Sequence, residues 1–292
     1  MAGSGGRFVP RPRPTLTDEQ INGCLRDKLR DYNDRDTEAI NRHIRGLRDA
    51  LEQTGSDVLP TRFGGSVSRH TYVDGLSDVD GLIRINDSSL AGRSPKAVIQ
   101  KMAELIQKRM PNTKVWTGNL AVTVRYSDGH EIQLLPAIRT RNGYRIANPT
   151  RNEWSGVIHP ERFAQKLTQV NQANRGQAIP AIKLTKALAH RLIRSDRDKI
   201  TGYHIESLAV EAFQNYRGPT DLKSMVKHLT NYSATAVHQP IRDSTGQSRY
   251  VDDYMGSQGS AARQKAAGNF RKMRDSIENA RSKADIDNLF DL

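Results

Sequence analysis

Near Pro160 the hydrophobic pattern of this chain changes period, and that change limits the folds open to it more than any other feature. Before it, short apolar runs stand among turn residues. Val58 to Phe63, ending in Gly64-Gly65, and Val79 to Asn86 read as strands, followed by Lys114 to Trp116, Ala121 to Tyr126 and Glu131 to Leu135. Asn119 and Ser127-Asp128-Gly129 mark turns between them. Two helical stretches accompany these runs. In residues 16 to 54, Ile21, Leu25, Leu29, Ile40, Ile44, Leu47 and Leu51 recur at helical spacing, with Thr17 or Asp18 as cap and Tyr32-Asn33-Asp34 as an interruption. The second stretch runs from Pro95 to Met110 and stops before Pro111. Beyond Pro160 only the helical period remains. Glu161 to Asn174, Ile179 to Ser195, Tyr203 to Tyr216, Asp221 to Leu229 and Ser260 to Arg281 all carry it, with Gly, Pro and Asn between them. The pattern predicts an α+β chain in three parts. Residues 1–15, rich in Gly, Pro and Arg, form a flexible arm. Residues 16–158 form a mixed lobe that includes the N-terminal helix, and residues 159–292 form a helical lobe.

A chain of 292 residues can bury a sizeable core as one large domain or two packed lobes. No apolar run approaches the roughly 18 residues of a membrane span, so no membrane partner is expected. The start, MAGSGGRFVPRPRP, lacks the apolar segment of a secretory signal. Cys24, the single cysteine, excludes an internal disulfide framework and a cysteine-based metal cluster. A reducing cytoplasm is the compartment that fits. The net charge of +13 favours polyanionic partners, nucleotides or nucleic acid, over a merely solvated surface.

Chemistry concentrates in Phe63-Gly-Gly-Ser-Val-Ser-Arg-His-Thr71 and Leu76-Ser-Asp-Val-Asp80. Asp78 and Asp80 stand at i and i+2 at the entrance of an apolar strand. On a strand they share a face, roughly 6.6 Å apart along the chain. Two carboxylates so placed repel each other unless a cation lies between them. Mg²⁺ binds one or two carboxylates and leaves its other positions to water and phosphate oxygens. Two such ions are what nucleotidyl transfer requires. A D-x-D alone is weak, since solvated turns explain most of them. The glycines upstream sharpen it: Gly64, Gly65 and Ser66 follow a strand, glycine lets backbone approach a phosphate, and free N–H groups there attract anions. Ser66 adds a hydroxyl. In the second lobe Lys183, Lys186 and His190 recur on one helix face, and a lysine suits phosphate as a point charge. Tyr203 and Tyr232 are candidates for stacking a base, against core or surface roles.

The segment G-S-V-S-R-H-T-Y-V-D-G-L-S-D-V-D resembles the signature of the polymerase β superfamily. More narrowly, it resembles the cyclic GMP-AMP synthase and oligoadenylate synthetase branch with its bacterial CD-NTase members. Glu131-Ile-Gln-Leu-Leu-Pro-Ala137 resembles the strand that carries the family's third acid. Ile182-Lys-Leu-Thr-Lys-Ala-Leu188 resembles the helix that offers a lysine to the donor triphosphate, and position matching favours Lys186 over Lys183. Gly202-Tyr-His-Ile-Glu-Ser-Leu208 resembles a helix start of the second lobe. The likeness runs from about residue 55 to residue 215 and is most specific in its first segment. It departs from the family at one point: the third acid usually stands three residues before the proline, where this chain has Gln133. Glu131 shares a strand face with Gln133 and has the longer reach, so it is the expected third acid.

The resemblance implies a polymerase β-like lobe packed on a helical lobe, with the active site between them. It implies two Mg²⁺ or Mn²⁺ ions on Asp78, Asp80 and Glu131. Gly65, Ser66 and Lys186 would hold the donor triphosphate, with Tyr203 at the nucleotide. The implied activity joins NTPs, ATP first and GTP or others besides, into a cyclic oligonucleotide signal in antiphage defence, with release of pyrophosphate. The alternatives are small-molecule adenylylation, nucleotide addition to an RNA end, or an inactive RNA-binding relative. An accessory protein is the expected regulator. A nucleic-acid activator is disfavoured, because Asp27, Asp31, Asp34, Asp36 and Asp49 stand among the bases of residues 16 to 54.

Overall fold

The computed structural model describes residues 15–34, 37–52, 58–63, 66, 69–73, 79–85, 92–148, 151–195, 198–243 and 250–291. The long helical stretch at the start divides in two. Helix α1 (Asp18–Asn33) opens on a capping box in which Thr17 is the cap: its hydroxyl accepts from the Gln20 N–H, and the Gln20 side chain accepts from the Thr17 N–H. Helix α2 (Thr37–Glu52) follows after a short break. The two serve different cores. Ile21, Leu25, Leu29 and Tyr32 of α1 are buried with the C-terminal helices, whereas Ile40, Leu47 and Leu51 of α2 are buried against the sheet. The sequence places α1 with the first lobe; its apolar face lies in the second.

The sheet contains β1 (Val58–Phe63), β2 (Val79–Ile85), β3 (Lys114–Thr117), β4 (Val122–Arg125), β5 (Glu131–Thr140) and β6 (Gly143–Ile146). Its order is β1-β2-β5-β4-β3, with β6 paired to the far end of β5. β2 and β5 run parallel, and the other pairs are antiparallel. The sheet is therefore mixed, as expected. β5 continues five residues beyond the predicted strand, through Pro136. Proline can sit there because it falls between Leu134, the last residue paired to β4, and Ala137, the first paired to β6. Ile83, Val122, Val124, Ile132 and Leu134 face a core closed by α2 and by α3 (Pro95–Arg109), which contributes Val98, Ile99, Met102 and Ile106. The alternate residues of β5, Glu131 and Gln133, lie half-buried on the opposite face.

The C-terminal half is helical, as the period predicts: α4 (Pro160–Ala173), α5 (Ala178–Leu192), α6 (Gly202–Gln214), α7 (Leu222–Ala236), α8 (Ala261–Asn279) and α9 (Lys283–Phe290). α5 is buried on nearly every side, which its small residues Ala178, Ala181, Ala187 and Ala189 allow. α9 lies beyond the last helical stretch that the sequence marks. It is short, and Ser282 and Asp285 stabilise its start with a second capping box.

Candidate active site

Three local facts bear on the candidate site residues. First, β2 begins at Val79, so Asp80 is its second residue, and its Cα partner on the parallel neighbour β5 is Gln133. Gln133 in turn faces Thr123 of β4. Second, Glu131 is the first residue of β5. It stands one position beyond the first β2–β5 pair, Val79 with Ile132, and faces Arg125. Its carboxylate is ion-paired to that guanidinium, which also lies 5.4 Å from the ring centre of Trp116 on β3. Third, the chain crosses from one core to the other at Tyr72-Val73: Tyr72 is buried with the sheet, Val73 with the helices.

The predicted site residues distribute as follows. Gly65 and Asp78 lie outside the described residues. Asp80 takes its place in the β2–β5 ladder. Ser66 is buried, and its carbonyl accepts from the Thr71 N–H at 2.9 Å. The register sets Gln133 beside Asp80, with Glu131 two residues back along β5 and held by Arg125. Oxygen donors therefore gather at this end of β5, a carboxylate and an amide, and an oxygen set is what a hard cation such as Mg²⁺ takes.

Lys186 is the residue whose surroundings differ most from expectation. Its ammonium is not presented to solvent: the side chain is 6 % exposed, donating to Glu206 Oε1 at 2.6 Å and to the Thr71 carbonyl at 3.1 Å. Glu206, on α6, is fully buried and is the centre of a cluster. Its Oε1 also accepts from the Thr71 hydroxyl at 2.5 Å, and its Oε2 accepts from Arg69 Nε at 2.6 Å. Burial raises the Glu206 carboxyl, but Lys186 and Arg69 beside it win and hold it down at about 2. Gly202 leaves room for this arrangement, since a Cβ there would stand 3.3 Å from Cε and Nζ of Lys186. Tyr203 lies next to the cluster. Its hydroxyl donates to Asp243 at 2.8 Å, its ring meets Phe163 edge-on at 4.9 Å, and the Arg69 guanidinium lies 5.7 Å from both ring centres. Lys183, by contrast, is at the surface and donates to Asn33.

Reading the sequence singled out Lys186 but passed over its partners Glu206 and Arg69. The signal was present. Ile205, Leu208, Ala209, Val210 and Phe213 make α6 apolar around most of its circumference, and a carboxylate inside such a helix requires a buried cation.

A mixed sheet with an acid at the start of its central parallel strand, packed with a helical half, has the polymerase β-like nucleotidyltransferase fold. The chain belongs to the family described as the Second Messenger Oligonucleotide or Dinucleotide Synthetase domain, SMODS, whose model matches residues 22–171. Its fold is that of the bacterial CD-NTases. The CD-NTase CdnG of Bradyrhizobium diazoefficiens, solved with GTP, superposes with a TM-score of 0.70 at 15 % identity, covering 93 % of this chain and 96 % of that one. CdnE of Elizabethkingia meningoseptica, a cyclic dinucleotide synthase solved with GTP and Apcpp, gives 0.65 at 16 % identity over 90 % and 99 %. CdnC of E. coli MS115-1 gives 0.64 at 15 % identity over 94 % and 98 % in its structure with ATP. In its HORMA complex it gives 0.56 at 14 % identity over 94 % and 92 %. No curated protein matches the chain. Among the described residues no helix is long and apolar enough to cross a membrane.

Proposed function

We propose that this chain joins nucleoside triphosphates into a cyclic oligonucleotide second messenger and releases pyrophosphate. The observation that carries the proposal is the pairing of Asp80 with Gln133, with Glu131 two residues back along β5, in a chain of the SMODS family. In each cycle an acceptor ribose hydroxyl forms a bond to the α-phosphorus of a donor, the bond from that phosphorus to the bridging oxygen breaks, and the hydroxyl proton is lost. Asp78, Asp80 and Glu131 would hold two Mg²⁺ or Mn²⁺ ions. When bound, these supply charge neutralisation and ease ionisation of the hydroxyl.

The chain's own residues position the reactants, which accounts for most of the rate in phosphoryl transfer. Gly65 and Ser66 cradle the donor triphosphate. Arg125 holds the Glu131 carboxylate against the sheet until a cation competes for it. Lys186 acts on the donor site through its contact with the Thr71 carbonyl, since its charge is already matched by Glu206. Tyr203 borders the nucleotide pocket. The donors are ATP and a second nucleotide such as GTP. The setting is cytoplasmic antiphage signalling with an accessory protein as regulator; the HORMA complex of CdnC supports the last point by analogy.

The test is incubation of purified, nuclease-treated protein with the four NTPs and Mg²⁺ or Mn²⁺, without another acceptor, followed by chromatography and mass spectrometry. A cyclic product from NTPs alone is expected. Products that form only when an RNA end or a small-molecule acceptor is supplied would overturn the reading.

A further inference from the structure

A second constellation lies in the sheet lobe, at the turn that leads into Glu131. His43 on α2 meets Asp128 and His130 of the turn between β4 and β5, and one potential ligand atom from each lies within 4.8 Å of the others. We propose that these three residues form a binding site for a late first-row divalent transition metal, Zn²⁺ foremost, that clips α2 to this turn.

Each ligand is held in place by its surroundings. The His43 ring stacks on Tyr126 at 3.6 Å between centroids and 20° between planes, and the Tyr126 hydroxyl donates to the His43 carbonyl at 3.2 Å. That leaves Nε2 of His43 aimed at Asp128, 2.7 Å from Oδ2. The turn itself is tight. Gly129 adopts φ +91°, a conformation natural only to glycine, and the Asp128 Oδ1 accepts from the His130 N–H at 3.2 Å. His130 then directs Nδ1 inward. This atom is shut off from solvent and stands 3.2 Å from Oδ1 of Asp128, within ion-pair range but without the alignment of a hydrogen bond. A buried ring nitrogen without a hydrogen bond is rare, and a ligand is one of the standard explanations for it.

Distance and donor type agree with that ligand. Zinc bonds of about 2.0–2.1 Å at tetrahedral angles set neighbouring donors roughly 3.3 Å apart. The two contacts to Asp128, at 2.7 and 3.2 Å, fall a little short of that value, so small rotations of side chains would admit an ion. Two imidazoles with one carboxylate select zinc, nickel or cobalt over Mg²⁺, whose preferred ligands are oxygens. The side chains are 18 %, 41 % and 25 % exposed for His43, Asp128 and His130, so a water can complete the fourth position. The site has an evident mechanical consequence. His130 is followed directly by Glu131, the first residue of β5, so an ion that fixes the turn also fixes the start of the strand that carries Glu131 and Gln133.

The experiment uses full-length protein freed of metal by chelation, carrying Asp78→Asn and Asp80→Asn so that the acids of the active site do not compete. Zn²⁺ is titrated by competition against a chromophoric chelator, Co²⁺ is followed by its visible absorption, and melting is recorded with and without Zn²⁺. One equivalent of Zn²⁺ is expected, with a melting temperature raised by about 5–10 °C at a hundredfold excess over Kd. Co²⁺ should give the strong visible bands of a low-coordinate site, and millimolar Mg²⁺ should leave the melting temperature unchanged. His43→Gln and His130→Asn should each weaken Zn²⁺ binding at least about tenfold and abolish the rise, while melting like the parent in chelator. Binding of Zn²⁺ by both variants as tightly as by the parent, or no stoichiometric Zn²⁺ at all, would overturn the proposal.

Discussion

Glu206→Gln is the substitution whose effect the structure sets most closely. It keeps the side-chain volume but removes the charge that Lys186 and Arg69 share. The amide oxygen can still accept from Lys186 and the Thr71 hydroxyl, but the amide NH₂ then faces Arg69, donor against donor. Two cations are left in a pocket where Lys186 is 6 % and Arg69 15 % exposed. Removing one partner of a buried pair costs about 3–5 kcal/mol. The carboxyl itself gives the same order: a fall from 4.5 to about 2 corresponds to about 3 kcal/mol of preference for the folded state. At about 2–4 °C per kcal/mol, the melting temperature should drop by roughly 10 °C. The sign with pH follows from the depressed folded value. The stabilisation is complete above about 4.5 and is lost as the pH falls towards 2. The gap between wild type and variant should therefore be constant near neutrality and close in acid. Thermal and denaturant unfolding at neutral pH and at several acidic values measures this. A double-mutant cycle with Lys186→Met should show strong coupling, because on the Glu206→Gln background that change removes an unpaired charge. A loss below about 1 kcal/mol at neutral pH, or additive effects, would refute the account of the cluster.

Three further outcomes are expected. Asp80→Ala, and likewise Asp78→Ala, should abolish product in the NTP assay without lowering the melting temperature, since losing one of two close carboxylates relieves repulsion. Glu131→Ala should reduce the rate far more than Gln133→Ala; the reverse ranking would assign the third ligand to the register partner of Asp80. Lys186→Ala should lower thermal stability and raise the KM for NTP together, whereas Lys183→Ala should change neither by much. A raised KM with unchanged melting would show that Lys186 touches the triphosphate directly.

The alternation and helical periods made most of the elements legible, because burial on one face imposes those periods whatever the family. Their ends and partners were harder. β5 reads as a five-residue strand because Pro136 is a strand breaker in isolation. Only the change of partner from β4 to β6 beside it removes the penalty, and that change is a tertiary fact. α1 reads as part of the first lobe because it adjoins α2 in sequence, and nothing local says which of two cores its apolar stripe will meet. The site shows the same division. The spacing of Asp78 and Asp80 and the run Gly64-Gly65-Ser66 are local features of the chain. The engagement of Lys186 depends on Glu206 twenty residues on and Arg69 far upstream, so position alone made it look available for phosphate.

The arrangement also says how the two lobes could act as one enzyme. Asp80 is fixed to the sheet through its ladder with β5. The turn at Ser66 is tied instead to the helical lobe: the Ser66 carbonyl binds the Thr71 N–H, the Thr71 carbonyl binds Lys186 of α5, and the Thr71 hydroxyl binds Glu206 of α6. The residues expected to hold donor phosphate and the residue expected to hold metal thus hang from different cores, joined through the short crossing from Tyr72 to Val73. Any shift of one core against the other changes the distance between phosphate and carboxylate. In a reaction whose rate comes from positioning, a sub-ångström error at that distance is costly. A buried ion cluster, which need not add net stability over an apolar one, is then retained for the geometry it enforces. Hydrophobic replacement of Arg69, Lys186 and Glu206 together could preserve the fold and still lose the register between turn and strand on which the chemistry depends.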